Sequence, residues 1–161
     1  MAKVLFIQSF SPKIYELNDL TFNNHIKYFN KHAYSFIFKN ETYNSGLFDF
    51  KGVAKYLDEF DIVVTLGCDC IITGFDTPIE SFASNYISLS QESMFSYYCG
   101  TFCNGEILIF NNKGKEIYSI VESLDAMQQF ECTDFKSKNA ESPTYFYSTQ
   151  SLFNNIYSGK Y

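Results

Sequence analysis

The chain of 161 residues has no tryptophan and no arginine, so lysine alone supplies its twelve cationic side chains. These stand singly along the chain against eighteen acids, for a net charge of −6. A nucleic-acid binder neutralises phosphates with clustered Lys or Arg, so no nucleic-acid partner is expected. Without arginine's bidentate fork, any phosphate ligand has to be met by lysine, backbone N–H groups or a metal ion. Histidine occurs only at His25 and His32, both upstream in one stretch, and no Ser-His-Asp or Cys-His arrangement follows. No Gly-x-Gly-x-x-Gly or Walker-type loop follows the first apolar run, which removes support for dinucleotide and P-loop chemistry. That run, within Met1-Ala-Lys-Val-Leu-Phe-Ile-Gln-Ser9, is too short for a signal peptide or a membrane span. A cytoplasmic protein with no membrane span is expected.

Five cysteines are an odd number, and with no secretory signal they are expected as reduced thiols. Cys68-x-Cys70 and Cys99-x-x-x-Cys103 match no common zinc-knuckle spacing. They read instead as small buried hydrophobes.

What is present is apolar and aromatic. Hydrophobic residues make up 46% of the chain, including 18 Phe and 13 Tyr, which argues against disorder. The length suits one domain, 1–161, with a real core. Short strand patterns at Val4–Ile7, Tyr34–Phe38, Asp61–Leu66, Tyr86–Leu89 and Glu106–Phe110 are separated by helical ones. The helical stretches run over 18–32, with Leu20, Ile26 and Phe29 as its apolar face and Asp19 or Thr21 as caps, then over 50–60 and 115–130. A short helix is predicted at 78–83 behind Pro78, a polar loop at 40–46 and another at 131–142, and a last helix at 149–157. Alternation of this kind predicts an α/β domain with a mostly parallel central sheet flanked by helices.

The most hydrophobic strand, Ile62-Val-Val-Thr-Leu66, suggests burial on both faces. It runs into Gly67-Cys-Asp-Cys70, which places a lone acid, Asp69, where α/β sheets bind ligands, beyond the carboxyl end of a strand. Asp69 either serves a ligand there or caps a turn.

Several stretches, taken in order from Lys3 to about Tyr157, resemble the GT-A-fold nucleotide-sugar glycosyltransferases. The likeness is to the retaining branch that transfers galactose, mannose or xylose in α linkage. Asn24-His-Ile-Lys-Tyr-Phe-Asn-Lys-His-Ala-Tyr34 is similar to that branch's first helix and its His-Gly-Tyr entry to the second strand. Phe48-Asp-Phe-Lys51, then Tyr56-Leu-Asp-Glu-Phe-Asp61, looks like its "aromatic, two on, lysine" helix and the Tyr-Asp that opens the third strand. Leu66-Gly-Cys-Asp-Cys-Ile-Ile-Thr-Gly-Phe-Asp-Thr-Pro-Ile-Glu-Ser81 resembles "Leu-Asp-x-Asp, two apolar, Asn-Pro-Asp-x-Pro-Leu-Glu". Phe102-Cys-Asn-Gly-Glu-Ile-Leu-Ile-Phe-Asn-Asn112 resembles the "Asn-x-Gly, strand, Arg-Asn" segment, and Thr149-Gln-Ser-Leu-Phe-Asn154 the "Glu-Gln-x-x-Leu-Asn" helix start.

The resemblance implies transfer of a sugar from a nucleotide diphosphate sugar to an acceptor it does not identify, with retention. It further implies Mn²⁺ or Mg²⁺ arriving with the nucleotide and held by Asp69. Ser9 and Tyr15 would meet the nucleoside, Lys51 the phosphates, Asn104 and Gly105 the donor sugar, and Gln150 its reactive face. Each also has an ordinary reading: Ser9 as a turn residue, Tyr15 as a surface aromatic in a loop, Lys51 as a solvated lysine, Asn104–Gly105 as a tight turn, Gln150 as a helix start. The chain departs from the branch at Gly67, where the first acid of Asp-x-Asp would stand, and at Thr73-Gly74 and Thr149. It is also expected to lack the C-terminal segment that carries a metal-binding histidine. The alternative is therefore a catalytically inactive relative, a binding or assembly module working through an apolar surface patch or as a homo-oligomer.

Overall fold

The computed structural model describes residues 2–10, 15–40, 50–91 and 103–138. Most of the expected polar loop at 40–46, the expected last helix and Gln150 lie outside these residues. The chain alternates strand and helix: β1 (Val4–Phe10), α1 (Tyr15–His32), β2 (Ser35–Asn40), α2 (Phe50–Leu57), β3 (Ile62–Leu66). A single turn of 3-10 helix (Ile79–Phe82) leads to β4 (Ile87–Gln91), β5 (Cys103–Asn111) and α3 (Glu116–Lys138).

The five strands form one sheet in the order β2-β1-β3-β5-β4. β1 pairs in parallel with β2 and β3, whereas β5 is antiparallel to both β3 and β4. Four strands thus share one direction and β5 opposes them: a mostly parallel mixed sheet, as expected. All five residues of β3 are buried, in keeping with its unbroken apolar sequence and its place between β1 and β5.

Period-two alternation sorts the sheet's side chains into two cores. Leu5, Ile7, Val63, Leu108 and Phe110 pack under α2 and α3 with Phe50, Val53, Leu57, Ile117 and Val121. Val4, Phe6, Ile62, Val64, Leu66 and Ile109 pack on the other side with Tyr28 and Phe29 of α1. Phe6 anchors that second core, its ring centroid 4.5 Å from Phe29, 5.5 Å from Tyr34 and 6.1 Å from Tyr28. Beside α1 the same face is covered by irregular chain: Cys70, Ile72, Phe75, Ile79 and Ala83 all pack into this core. The segment after β3 does the work of a missing helix.

The face that α1 turns inward differs from the expectation. Leu20 is 74% exposed, while Thr21, His25, Tyr28 and Phe29 are buried. Thr21 sits inside the helix rather than capping it. α3 also continues to Lys138 through the stretch expected as loop. No Gly or Pro lies between Gly114 and Lys138, and polarity alone does not stop a helix.

α1 ends in a Schellman motif: Tyr34 N–H donates to Phe29 O (2.9 Å) and Ala33 N–H to Asn30 O (3.3 Å). The residue at the turn, Ala33, has φ 56°, a left-handed conformation that disfavours a side chain. This is the position at which the resembling glycosyltransferases carry glycine. Ala33→Gly is therefore expected to raise stability by about 0.5–1 kcal/mol. A urea unfolding midpoint that stays put or falls would contradict this.

Candidate active site

The strand registers place the candidate residues along the sheet's carboxyl rim. Leu66, the last residue of β3, pairs with Gln8 of β1 and with Ile107 of β5. Beyond that level lie Ser9 in β1 and Gly67 after β3, each one step on, and Glu106, Gly105 and Asn104 in β5, one, two and three steps on, because β5 runs the opposite way. Asn104 and Gly105 belong to β5 itself rather than to a turn before it. The β4 ladder jumps from Leu89↔Leu108 to Ser90↔Asn104, so 105–107 bulge away from β4 at this end. Tyr15 is the first residue of α1, not part of a loop, and Lys51 is the second residue of α2. Helices in parallel crossovers start at the carboxyl ends of the strands they follow, so both belong to the same rim by backbone position.

Asp69 lies at the centre of a turn closed by the Cys70 N–H to Gly67 O bond (3.3 Å). Its side chain is exposed, and its carboxylate makes no hydrogen bond or ion pair with any described residue. The acids further along are engaged: Asp76 pairs with Lys31, and Glu80 accepts a hydrogen bond from Tyr34. The Lys31 ammonium, through that contact, holds the Asp76 carboxyl below its ordinary range. Burial, and then the bond to Glu80, raises the Tyr34 phenol above its ordinary value, so it remains a donor.

One polar face of α1 holds the chain around Asp69. Thr21 Oγ1–H donates to Cys68 O (2.5 Å), and His25 Nε2 lies 2.8 Å from Cys70 O. Asn24 clamps Ile72 twice, donating to its carbonyl (2.9 Å) and accepting from its N–H (2.8 Å). Tyr28 donates to Thr77 O (2.8 Å), and His32 Nε2 meets Phe75 O at 2.8 Å. Both histidines are thus hydrogen-bonded to the segment. The signal was present in the sequence as polar residues at helical spacing, 21, 24, 25, 28, 31 and 32, but nothing there tells a solvated stripe from a buried one.

His25 is fully buried. Its Nδ1 lies 3.1 Å from the terminal oxygen of the Gln8 side chain. A backbone carbonyl only accepts, so Nε2 carries the proton. Burial lowers the imidazole pKa, opposed in part by the bond to Cys70, and the neutral ring then accepts at Nδ1. A half-turn of the Gln8 amide supplies the required N–H.

No family model matches the chain, and no curated protein matches it significantly. Solved structures do. A glycosyltransferase involved in the glycosylation of the major capsid of PBCV-1 superposes with a TM-score of 0.61 at 16% identity, over 99% of this chain and 76% of that one. The apo-form glycosyltransferase GlyE of Streptococcus pneumoniae TIGR4 gives 0.53 at 16% identity, over 100% of this chain and 44% of its own. Another GlyE structure gives 0.53 at 14% identity, again over 100% of this chain and 45% of that one. The fold is a glycosyltransferase fold, and the chain spans less than half the length of GlyE.

The His25 arrangement has a pH consequence. Below its ordinary pKa of 6.5 the unfolded chain takes up a proton that the folded ring resists. Stability is full above 6.5 and is lost as pH falls from there through the lower folded value. The melting temperature is expected to fall between pH 7.5 and 5, and His25→Gln to flatten part of that fall. Parallel pH profiles for wild type and variant would contradict it.

Proposed function

We propose that the chain takes part in glycosyl transfer from a nucleotide diphosphate sugar, binding the donor along the carboxyl rim of the sheet. The observation that carries this reading is Asp69: an exposed carboxylate, uncommitted to any described residue, at the end of the central strand of a glycosyltransferase fold. The solved structures of like fold are glycosyltransferases, which supports the same class.

Whether the residues fit a metal turns on their number. Among the described residues no three His, Cys, Asp or Glu side chains come together as a cluster. Mg²⁺ and Mn²⁺ at phosphate sites need only one or two carboxylates, with water and phosphate oxygens completing the octahedron. A cation brought by the nucleotide and held by Asp69 fits that donor set. When bound it neutralises the pyrophosphate as a Lewis acid.

The chain's own residues have the remaining tasks in this reading. Ser9 and Tyr15 hold the nucleoside, Lys51 answers phosphate charge, and Asn104 and Gly105 lie along the donor sugar, where glycine permits close backbone approach. Gln150, outside the described residues, is assigned to the sugar's reactive face by the resemblance alone; a neutral amide would orient and stabilise charge but is no general base. Retention then follows a front-face route. The bond from the anomeric carbon to the phosphate oxygen breaks as the acceptor oxygen bonds from the same side. The acceptor proton passes to the departing phosphate, and the nucleotide diphosphate leaves.

The second reading, an inactive binding or assembly module, draws on Gly67, which offers no side chain where the resembling branch has its first acid. Of the described residues, Leu20, Phe22, Phe36, Ile71 and Phe82 are exposed large apolar side chains. Among the described residues no helix is long and apolar enough to cross a membrane.

Melting curves with UDP or GDP plus Mn²⁺ test the donor site. Ligand at a hundredfold its Kd adds about 2.7 kcal/mol, a rise of several degrees for a chain of this size. Asp69→Ala is expected to abolish the rise. No shift with either nucleotide, with or without metal, would overturn the proposal; a shift without turnover of any sugar nucleotide would favour the inactive module.

A further inference from the structure

We infer that Thr21, Asn24 and His25 of α1 form a register lock: positioning residues that hold the backbone on either side of Asp69 and so aim its carboxylate at the rim. The inference rests on the reading of Asp69 as a ligand for the donor's phosphates or their cation.

The geometry is specific to this short run of chain. The carbonyls of Cys68, Cys70 and Ile72, every second residue, all accept from α1, at 2.5, 2.8 and 2.9 Å. Two of them belong to the residues that flank Asp69. Side chains alternate in step. Cys70 and Ile72 pack into the core beside Val64 and Leu66, while Asp69 and Ile71 are exposed, Ile71 to 65%. Over 70–72 a slip of one residue would exchange the inward and outward side chains, and the turn that presents Asp69 would have to shift with it.

Side chains of α1 oppose such a slip. Between described residues, the backbone–backbone bonds given for 67–77 outside strands and helices include Cys70 N–H to Gly67 O and Thr77 N–H to Gly74 O. Both are local turns, and neither sets the register against the rest of the fold. Asn24 does so most directly: by donating to Ile72 O and accepting from Ile72 N–H it imitates the paired bonds of a neighbouring strand. None of the three side chains needs to touch a ligand. Each acts through the backbone, as the groups behind metal ligands commonly do.

The test uses Mn²⁺ with UDP or GDP as the probe, free Mn²⁺ being measured by electron paramagnetic resonance at a temperature where every variant is folded. Thr21→Val keeps the shape and removes the donor; Thr21→Ser keeps the donor. Thr21→Val and Asn24→Ala are expected to weaken Mn²⁺ uptake about tenfold or more, with Thr21→Ser close to wild type. Val53→Ala, in the core on the opposite face of the sheet, controls for destabilisation and is expected to bind as wild type does. Wild-type affinity in both Thr21→Val and Asn24→Ala, or an equal loss in Val53→Ala, would overturn the inference. If wild type takes up no Mn²⁺ with either nucleotide, the donor-site reading fails, and hydrogen exchange decides the lock. Faster exchange at 70–72 in Thr21→Val and Asn24→Ala but not in Val53→Ala supports it; unchanged exchange overturns it.

Discussion

A row of side chains on one helix, bonded to the backbone of one irregular segment, holds this structure in its working shape. Residues 68–77 cover the core beside α1 without forming a helix or joining the sheet. Buried carbonyls without partners cost more than any single hydrogen bond gains. Thr21, Asn24, His25, Tyr28 and His32 supply donors to five part-buried carbonyls of this segment. The helix thus has two tasks: its Phe29 fills the core and its polar stripe completes a neighbouring chain. That explains why a residue as apolar as Leu20 is left outside while a threonine and a histidine are fully buried.

The row differs along its length. Near the carboxyl rim it is small and neutral, with a threonine hydroxyl, an amide and a neutral imidazole, and it leaves Asp69 open. Toward the other end it becomes aromatic and charged. His32 stacks on Tyr34 with ring centroids 5.2 Å apart, Tyr34 donates to Glu80 and accepts from the Ile79 N–H at 3.0 Å, and Lys31 pairs with Asp76. Exposed ion pairs such as Lys31–Asp76 add little stability. The part-buried phenol–carboxylate contact and the rings around Phe6 are what anchor that end. One end is built for packing, and the other presents a charge.

The glycosyltransferase fold also gives the departures from the resembling branch a physical meaning. In the proposed donor site Gly67 has no side chain to share a cation with Asp69, so that site would depend on what a ligand brings with it. The β5 bulge beside β4 and the turn after β3 meet at the same rim because β5 runs against β3. Residues 67–69 and 104–105, distant in sequence, are thereby brought to one place.

Much of the fold was legible beforehand. The strands at Val4, Ser35, Ile62 and Ile87 and the Glu106–Phe110 part of β5 were legible from their sequence patterns, whereas 104–105 read as a turn. The α/β alternation followed, because a helix and a strand bury side chains with different periods. Asp69 was legible as an acid at a strand end, since its neighbours define both the strand and the turn. The inward face of α1 was not, because Thr21, Asn24 and His25 look like surface residues until partners 45 or more positions away are in place. The antiparallel course of β5 and the extension of α3 to Lys138 likewise depended on what each segment packs against. Local sequence determined which stretches are strands and helices and where the acid falls. Only the tertiary structure decided which way that acid faces, because the bonds that set its register come from a different part of the chain.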